Sequence, residues 1–448
     1  MRSLWSEHER RLRMRRIWLA LAEAQHAAGL VTDAQWADLE RTADKIDIAR
    51  AIVIEETTRH DVMAEILTWS EQAPEGGAIL HLGATSADIV DNVDALRIRD
   101  GLALIRTPLV ALIRSLVERV EQTADVVTQG WTHLQPAAPT TVGYRLAGAL
   151  QDFMTDLASL DAVAAGVHGK GFKGAIGTGA SYAAVLEGTG VTAAQMEATA
   201  MARLGLAAAP VTSQVYPRKQ DWLVLNALAG IAGSASTLAF NARILQSPPF
   251  GEWSEGFAAG QVGSTAMPWK RNPVNAETVT SLARYVAGLP IIAWQNEATN
   301  LLERTLDDSA NRRIILPEAF LATDEILHRL LGIVNQMLID PVALAATLAR
   351  YGPFAASENV LLAATLAGGH RQVLHERIKA HSMAAWQAVE RGETNPLPQL
   401  LAADTDITRY VDSSTVLRLV ADPRAQVGDA PARAREMARR ARAAIGDI

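Results

Sequence analysis

The segment Gly263-Ser264-Thr265-Ala266-Met267-Pro268-Trp269-Lys270-Arg271-Asn272-Pro273 gathers in one stretch what is needed to hold an anion. Its small residues let backbone amides come close to a ligand, Lys270 and Arg271 supply positive charge, Asn272 adds a neutral donor, and two prolines narrow the available conformations. Three of the ten histidines stand apart from the others. His60 lies in Arg59-His60-Asp61, His81 in His81-Leu82-Gly83-Ala84-Thr85-Ser86, and His133 in Thr132-His133-Leu134-Gln135-Pro136. Each sits in a short polar insertion at the edge of a periodic segment, where rigid elements present side chains to a cleft.

Several other chemistries are excluded. With no cysteine in the chain, disulfides, thiolate catalysis and cysteine-ligated metal clusters are ruled out, and a cytoplasmic location is expected. Gly169-Lys170-Gly171-Phe172-Lys173-Gly174 satisfies the dinucleotide pattern, but it follows a helical stretch where a strand is required and opens no βαβ unit. A Walker-type Gly-Lys-Ser/Thr and a His pair around a helical Glu are both missing. The 49 acidic and 42 basic residues give a net charge of -7, so any polyanion bound is small, and neither nucleic acid nor a membrane surface is an expected partner.

The elements that must position these residues read as long helices. At 448 residues, 49% apolar and 20% charged, the chain is long enough for two or three domains with a sizeable core. From Val93 to about Thr128, Leu102, Ile105, Leu109, Leu112, Leu116 and Val120 recur at three- and four-residue steps, with Pro108 a candidate bend. A second helix is predicted from near Thr141, after a Pro136 to Pro139 turn signal. A third spans about Arg218 to Gln246, a fourth follows Pro273 and a fifth follows Pro317. Alternating strand patterns are scarce, so the fold class is all-α, with the helices packed as a bundle.

The uncharged run Trp222 to Ala242 is rich in Ala, Gly, Ser and Thr and reads as a central helix buried on all sides by other helices, not as a membrane span. The Ala- and Arg-rich tail, residues 431–442, reads as a solvated terminal helix. Met1 to Arg16 carries five arginines after Arg2 and no apolar core, so no secretory signal is expected. The predicted domains are residues 1–92, carrying His60 and His81, the long-helix bundle 93–340 with the 263–273 loop, and a helical C-terminal part, 341–448.

Gly263 to Pro273 closely resembles the signature loop of the aspartase/fumarase superfamily, and the surrounding segments resemble its adenylosuccinate lyase family. Arg59 to Ala64, His81 to Ser86, Thr132 to Pro136 and Glu303-Arg304-Thr305-Leu306-Asp307-Asp308-Ser309-Ala310-Asn311-Arg312-Arg313 match that family's pattern in order. The resemblance runs from about Trp5 into the C-terminal part. It implies a three-domain helical fold whose central bundle forms a homotetramer, with active sites assembled from three subunits.

The resemblance further implies a carbon–nitrogen β-elimination in purine biosynthesis. Fumarate leaves adenylosuccinate, giving AMP, or leaves succinyl-aminoimidazole carboxamide ribotide, with no metal or organic cofactor. Ser264 would be the base, a weak one that needs a nearby cation and amide dipoles. Lys270 and Asn272 would hold the dianionic aci-carboxylate. His133 would be the general acid, since imidazole titrates near pH 6.5, and Glu277 would orient its ring. His60 would assist near the leaving group or phosphate, while His81, Thr85 and Ser86 would line the pocket. Arg304, Ser309 and Arg313 would contact the nucleotide phosphate and ribose, and Gln214 the succinyl portion.

Two departures from the family pattern stand out. Thr265 replaces the second loop serine, and the family's Arg-Tyr nucleotide-binding pair would fall upstream of Met1, so either residues precede Met1 in the native product or phosphate recognition differs. A sister enzyme acting on argininosuccinate or a carboxymuconate would keep Ser264, Lys270 and Asn272 without needing Arg304, Ser309 and Arg313 together. A non-catalytic helical scaffold would need none of them.

Overall fold

The computed structural model describes residues 1–257 and 260–446. In chain order the elements begin with α1 (Glu7–Ala27), α2 (Asp33–Thr42), α3 (Ile48–Thr58) and α4 (Asp61–Gln72). The long helix α5 (Ser86–Thr123) leads into a hairpin of β1 (Val127–Thr132) and β2 (Gln135–Thr141), then α6 (Val142–Ala165), α7 (Ala180–Val185), α8 (Ala193–Leu204) and α9 (Lys219–Gln246). After β3 (Trp253–Ser254) come α10 (Val274–Ala298), α11 (Asp307–Gln336) and β4 (Leu338–Ile339). The last helices are α12 (Pro341–Leu366), α13 (Arg371–Glu390), α14 (Leu397–Ala403), α15 (Thr405–Thr408), α16 (Ser413–Ala421) and α17 (Ala430–Ile445). The all-α reading holds: among the described residues the strands form only two antiparallel two-stranded ribbons.

The chain divides into two compact units. Unit 1 is Met1–Pro108, Asp156–Gly233 and Leu282–Ile326; unit 2 is Leu109–Thr155, Ser234–Ser281 and Leu327–Ile448. Compactness therefore cuts the chain differently from the linear three-part reading, and the cuts fall inside α5, α6, α9, α10 and α11. In unit 1, α1 starts at Ser6, whose hydroxyl accepts the Glu9 N–H, and buries Met14, Ile17, Trp18 and Leu21. In unit 2, Val360, Leu374, Leu397, Leu401 and Val416 build the core of the C-terminal helices. There α17 buries Ala430, Ala434, Ala438 and Ala441 and turns its arginines outward, Arg435 to Asp125 and Arg442 to Glu121 at 2.7 Å. The tail is a solvated terminal helix, as expected.

Four local expectations are corrected. Helix α5 starts at Ser86 instead of Val93, because Asp88 accepts the Thr85 N–H at 3.0 Å and caps the helix about two turns before Val93. Residue 92 is consequently mid-helix. Helix α11 starts at Asp307 and runs through Pro317: its acidic first turn suits a helix N-terminus, and burial of Leu316, Ala319 and Phe320 outweighs the backbone donor that proline lacks. Pro136 and Pro139 form no turn; they lie in β2 of a two-stranded ribbon, and the turn falls at His133 and Leu134. Helix α9 is not buried on all sides in the single chain. Val224, Leu225, Leu228, Ile231, Ala235 and Leu238 are buried, whereas Leu223, Asn226, Gly230, Gly233, Thr237 and Phe240 form an exposed stripe.

Candidate active site

Residues from α1, α5, α11 and the segment before α9 enclose a cavity of about 220 Å³ in unit 1. Ser309 and Arg313, one helical turn apart on α11, face it together with Arg304 from the preceding turn. Arg304 is fixed to Asp308 at 2.8 Å, and Asp308 also accepts from Arg218 at 2.5 Å. Arg218 reaches Asp91 at 3.0 Å, while Arg312 holds Asp221 at 2.7 Å and Asp94 at 3.1 Å. Arg313 and Arg10 share Asp61, at 3.3 and 2.5 Å. Burial alone would push the Asp308 and Asp61 carboxyls up, but these guanidinium neighbours outweigh it and hold both below the usual carboxylate range.

Arg304, Ser309 and Arg313, grouped in the sequence reading, line one cavity, and Arg10, Arg97, Arg218 and Arg312, which that reading did not single out, line it with them. A signal was present: Ala87, Asp91, Asp94 and Arg97 recur at three- and four-residue steps on α5 and all line the cavity, a charged face on a helix otherwise rich in buried aliphatics. Gln214, half-buried, donates its backbone N–H to the Glu303 carbonyl at 3.1 Å, which ties it to the segment carrying Arg304.

The His81 to Ser86 segment is also in unit 1. His81 takes φ +67°, in the left-handed region, and Gly83 follows at +77°, where a Cβ would stand 3.0 Å from the Tyr182 ring. Trp18 donates its indole N–H to His81 Nδ1 at 3.0 Å. That bond assigns the neutral tautomer with the proton on Nε2, and burial pushes the imidazole pKa down despite Asp88 nearby. His81 is thus a neutral donor with a fixed orientation. Asp88 anchors the segment: it accepts from Thr85 N–H and the Tyr182 hydroxyl, each at 3.0 Å, and from the buried Lys170 ammonium. The Gly169 to Gly174 segment is thereby tied to Asp88 and Asn92: the Lys170 ammonium and the Gly174 amide reach Asp88, and the Gly171 amide reaches Asn92. Ser86 opens α5 with its hydroxyl 3.4 Å from His60 Nε2, and His60 itself is exposed at the start of α4.

In unit 2, His133 and Leu134 make the tight turn of the β1–β2 hairpin with φ +55° and +58°. Two consecutive non-glycine residues in this region cost about 1–3 kcal/mol each, a strain that clusters at functional positions. His133 is exposed and makes no hydrogen bond or ion pair among the described residues. The 263–273 loop is organised around its own backbone. Ser264 Oγ accepts from the Met267 N–H at 3.1 Å and the Ala266 N–H at 3.4 Å, so two amide dipoles point at this oxygen, an arrangement that would favour negative charge on it. Asn272 donates to the Gly263 carbonyl at 3.0 Å and closes the loop, and a Cβ on Gly263 would collide with the Lys270 carbonyl oxygen. Lys270 and Thr265 are exposed. Glu277, in the first turn of α10, lies 3.8 Å from Arg243; it makes no hydrogen bond to His133 within the chain.

The site candidates thus divide between the two units: His60, His81, Thr85, Ser86, Gln214, Arg304, Ser309 and Arg313 belong to unit 1, and His133, Ser264, Lys270, Asn272 and Glu277 to unit 2. A lyase family model matches residues 3–288, and the model of the adenylosuccinate lyase C-terminus matches residues 353–437. The adenylosuccinate lyase of Schistosoma mansoni is 35% identical over 93% of this chain and 87% of its own, and that of Schizosaccharomyces pombe 38% identical over 89% and 83%. The chain belongs to the adenylosuccinate lyase family. Membership makes it a lyase and sets aside the scaffold alternative. Among solved structures, a fumarate lyase from Mesorhizobium sp. BNC1 superposes with a TM-score of 0.85 at 24% identity, over 100% of this chain and 97% of its own. A 3-carboxy-cis,cis-muconate lactonizing enzyme from Pseudomonas putida does so with 0.85 at 24%, over 98% and 97%. Those two likenesses carry the fold alone; the adenylosuccinate lyase relatives carry the family.

Proposed function

We propose that the protein eliminates fumarate from adenylosuccinate, giving AMP, and from succinyl-aminoimidazole carboxamide ribotide, as a cytoplasmic homotetramer. The observation that carries the substrate reading is the unit 1 cavity, which collects Arg304, Ser309 and Arg313. Argininosuccinate and carboxymuconate have no phosphate to engage that set.

Ser264, as alkoxide, removes the proton from the carbon beside the succinyl carboxylate. The electron pair moves into that carboxylate, and the resulting dianion is matched by Lys270 and the loop amides. The carbon–nitrogen bond then breaks, the pair returns to form the double bond of fumarate, and His133 protonates the departing nitrogen. The strained turn that exposes His133 and the two amides on Ser264 Oγ support these roles.

Tetramer formation is supported by the exposed stripe of α9, whose residues 223, 226, 230, 233, 237 and 240 alternate three- and four-residue steps without a charge. That spacing is the seam along which helices of separate chains pack. Loss of the ultraviolet absorbance of the succinylated purine on incubation of adenylosuccinate with the enzyme tests the reaction, and no turnover would remove the substrate reading. Mixing inactive His133→Ala and Ser264→Ala proteins tests the shared site. Partial recovery of activity on reassembly is expected, and mixed tetramers that stay silent would place both residues in one subunit's site.

A further inference from the structure

Six guanidinium groups line the unit 1 cavity, and five of them have a carboxylate partner: Arg10, Arg218, Arg304, Arg312 and Arg313. Arg97 differs. Its residue is only 6% exposed, yet among the described residues no carboxylate lies within 4.0 Å of its guanidinium. Its Nε donates to the Leu4 carbonyl at 3.0 Å, and its guanidinium carbon lies 4.4 Å over the Trp5 ring. These contacts fix the plane of the group and use only one of its five donors. Burial, reinforced by Arg10 and Arg13, disfavours the charged form, and Asp94 and Glu7 oppose that only from a distance.

A buried cation without a counter-charge is a poor structural filler, because an aliphatic side chain would occupy the same volume without the desolvation cost. With only Nε committed, Arg97 lines the cavity that also carries Arg304, Ser309 and Arg313. We propose that Arg97 is a further substrate contact, taking a phosphoryl oxygen of the nucleotide monophosphate through its uncommitted Nη donors. This rests on the nucleotide reading of the cavity. The other five arginines are partly neutralised, so a phosphate dianion meets its least compensated cation at Arg97, and the Leu4 and Trp5 contacts hold the fork in place before the ligand arrives.

The experiment compares wild type, Arg97→Met and Arg97→Lys on adenylosuccinate and on its dephosphorylated counterpart, succinyladenosine, with inorganic phosphate as a separate probe. For Arg97→Met, KM for adenylosuccinate should rise on the order of tenfold to a hundredfold, with kcat much less affected. The loss in kcat/KM should be at least about tenfold larger for adenylosuccinate than for succinyladenosine, and Arg97→Lys should recover part of it. Phosphate should raise the melting temperature of wild type and do so weakly or not at all in Arg97→Met, whose melting temperature without phosphate should not fall.

Equal losses on both substrates, an unchanged KM, or an intact phosphate shift in Arg97→Met would each overturn the proposal. If wild type turns over neither substrate, the assigned reaction fails, while the phosphate shift still decides the role of Arg97. Should Arg97→Met not fold, Arg97→Lys decides by the same readout: a phosphate shift as large as that of wild type would count against the fork.

Discussion

The cavity of unit 1 and the 263–273 loop of unit 2 both present cationic side chains, yet they are built in opposite ways. In the cavity, Arg218 and its partners Asp91 and Asp308 are each about 2% exposed, and Arg312 is held by two aspartates and a tyrosine. In the loop, Lys270 is exposed and makes no ion pair among the described residues, and the Ser264 hydroxyl accepts from two backbone amides, with no other partner among the described residues. The cavity is fixed in advance by charge pairing, at the cost of burying many ions. The loop leaves Lys270 uncommitted, as the proposed role in meeting newly developed negative charge would require. A binding subsite benefits when its groups are rigid before the ligand arrives; a group meant to favour the transition state over the ground state benefits from being uncommitted until then.

The largest effect that would sharpen this contrast lies in the loop. Ser264→Ala should lower kcat/KM by about 10³-fold or more, as expected for a lost base and its oriented amides. The melting temperature should move by no more than about 2 °C, since the side chain buries little. A fall of many degrees would show that the loop carries stability after all. In the cavity the balance is reversed. Arg218→Met leaves the Asp91 and Asp308 carboxylates buried without their shared cation, and breaking such a pair from one side costs about 3–5 kcal/mol. Urea unfolding should reveal that loss, and a stability within about 1 kcal/mol of wild type would undo the claim that charge pairing holds the cavity.

Much of this was legible in the sequence, and the pattern of success follows the same division. The loop is contiguous, so its residue types announce its chemistry before any fold is known, and the five long helices are visible in their apolar period. What stayed hidden depends on contacts between distant residues. Arg97 and Arg10 carry no motif; they acquire meaning only because α1, α5 and α11 meet around one cavity. The hairpin was obscured because Pro136 and Pro139 mimic a turn, whereas the actual turn uses His133 and Leu134 without a glycine. The early start of α5 escaped because the cap, Thr85 with Asp88, precedes the apolar repeat. The exposed face of α9 was read as buried because an uncharged surface stripe and a core stripe have the same composition.

Acid should distinguish the two regions next. Asp61 and Asp308 have folded pKa values below the ordinary carboxylate value of about 3.9, so their contribution to stability is complete above that value and is lost as pH falls through the folded values. Stability measured by urea unfolding should therefore fall with acidification below about pH 4, and Asp61→Asn should make that dependence shallower. An unchanged slope would mean that the Arg10–Asp61–Arg313 cluster is not a source of the acid sensitivity.

The smallest effect concerns a position where the cavity's way of fixing groups in advance extends to a neutral one. Trp18→Phe keeps most of the ring volume and removes the N–H that holds His81 Nδ1 as an acceptor. One such hydrogen bond is worth about 1 kcal/mol, so kcat/KM should fall by roughly fivefold. The pH profile is more informative than the size of the loss. Burial disfavours the protonated imidazole in the wild type, and the indole donor adds to this by satisfying the unprotonated Nδ1. Without that donor the charged form is penalised less, so the acid limb of kcat/KM should move to higher pH. The same shift should appear in stability: a depressed histidine loses stability as pH falls from about 6.5 toward its folded value, and that loss should be smaller in Trp18→Phe. A fivefold loss with an unmoved acid limb would mean that Trp18 only packs against the ring, and that His81 does not depend on a locked tautomer to serve as a donor.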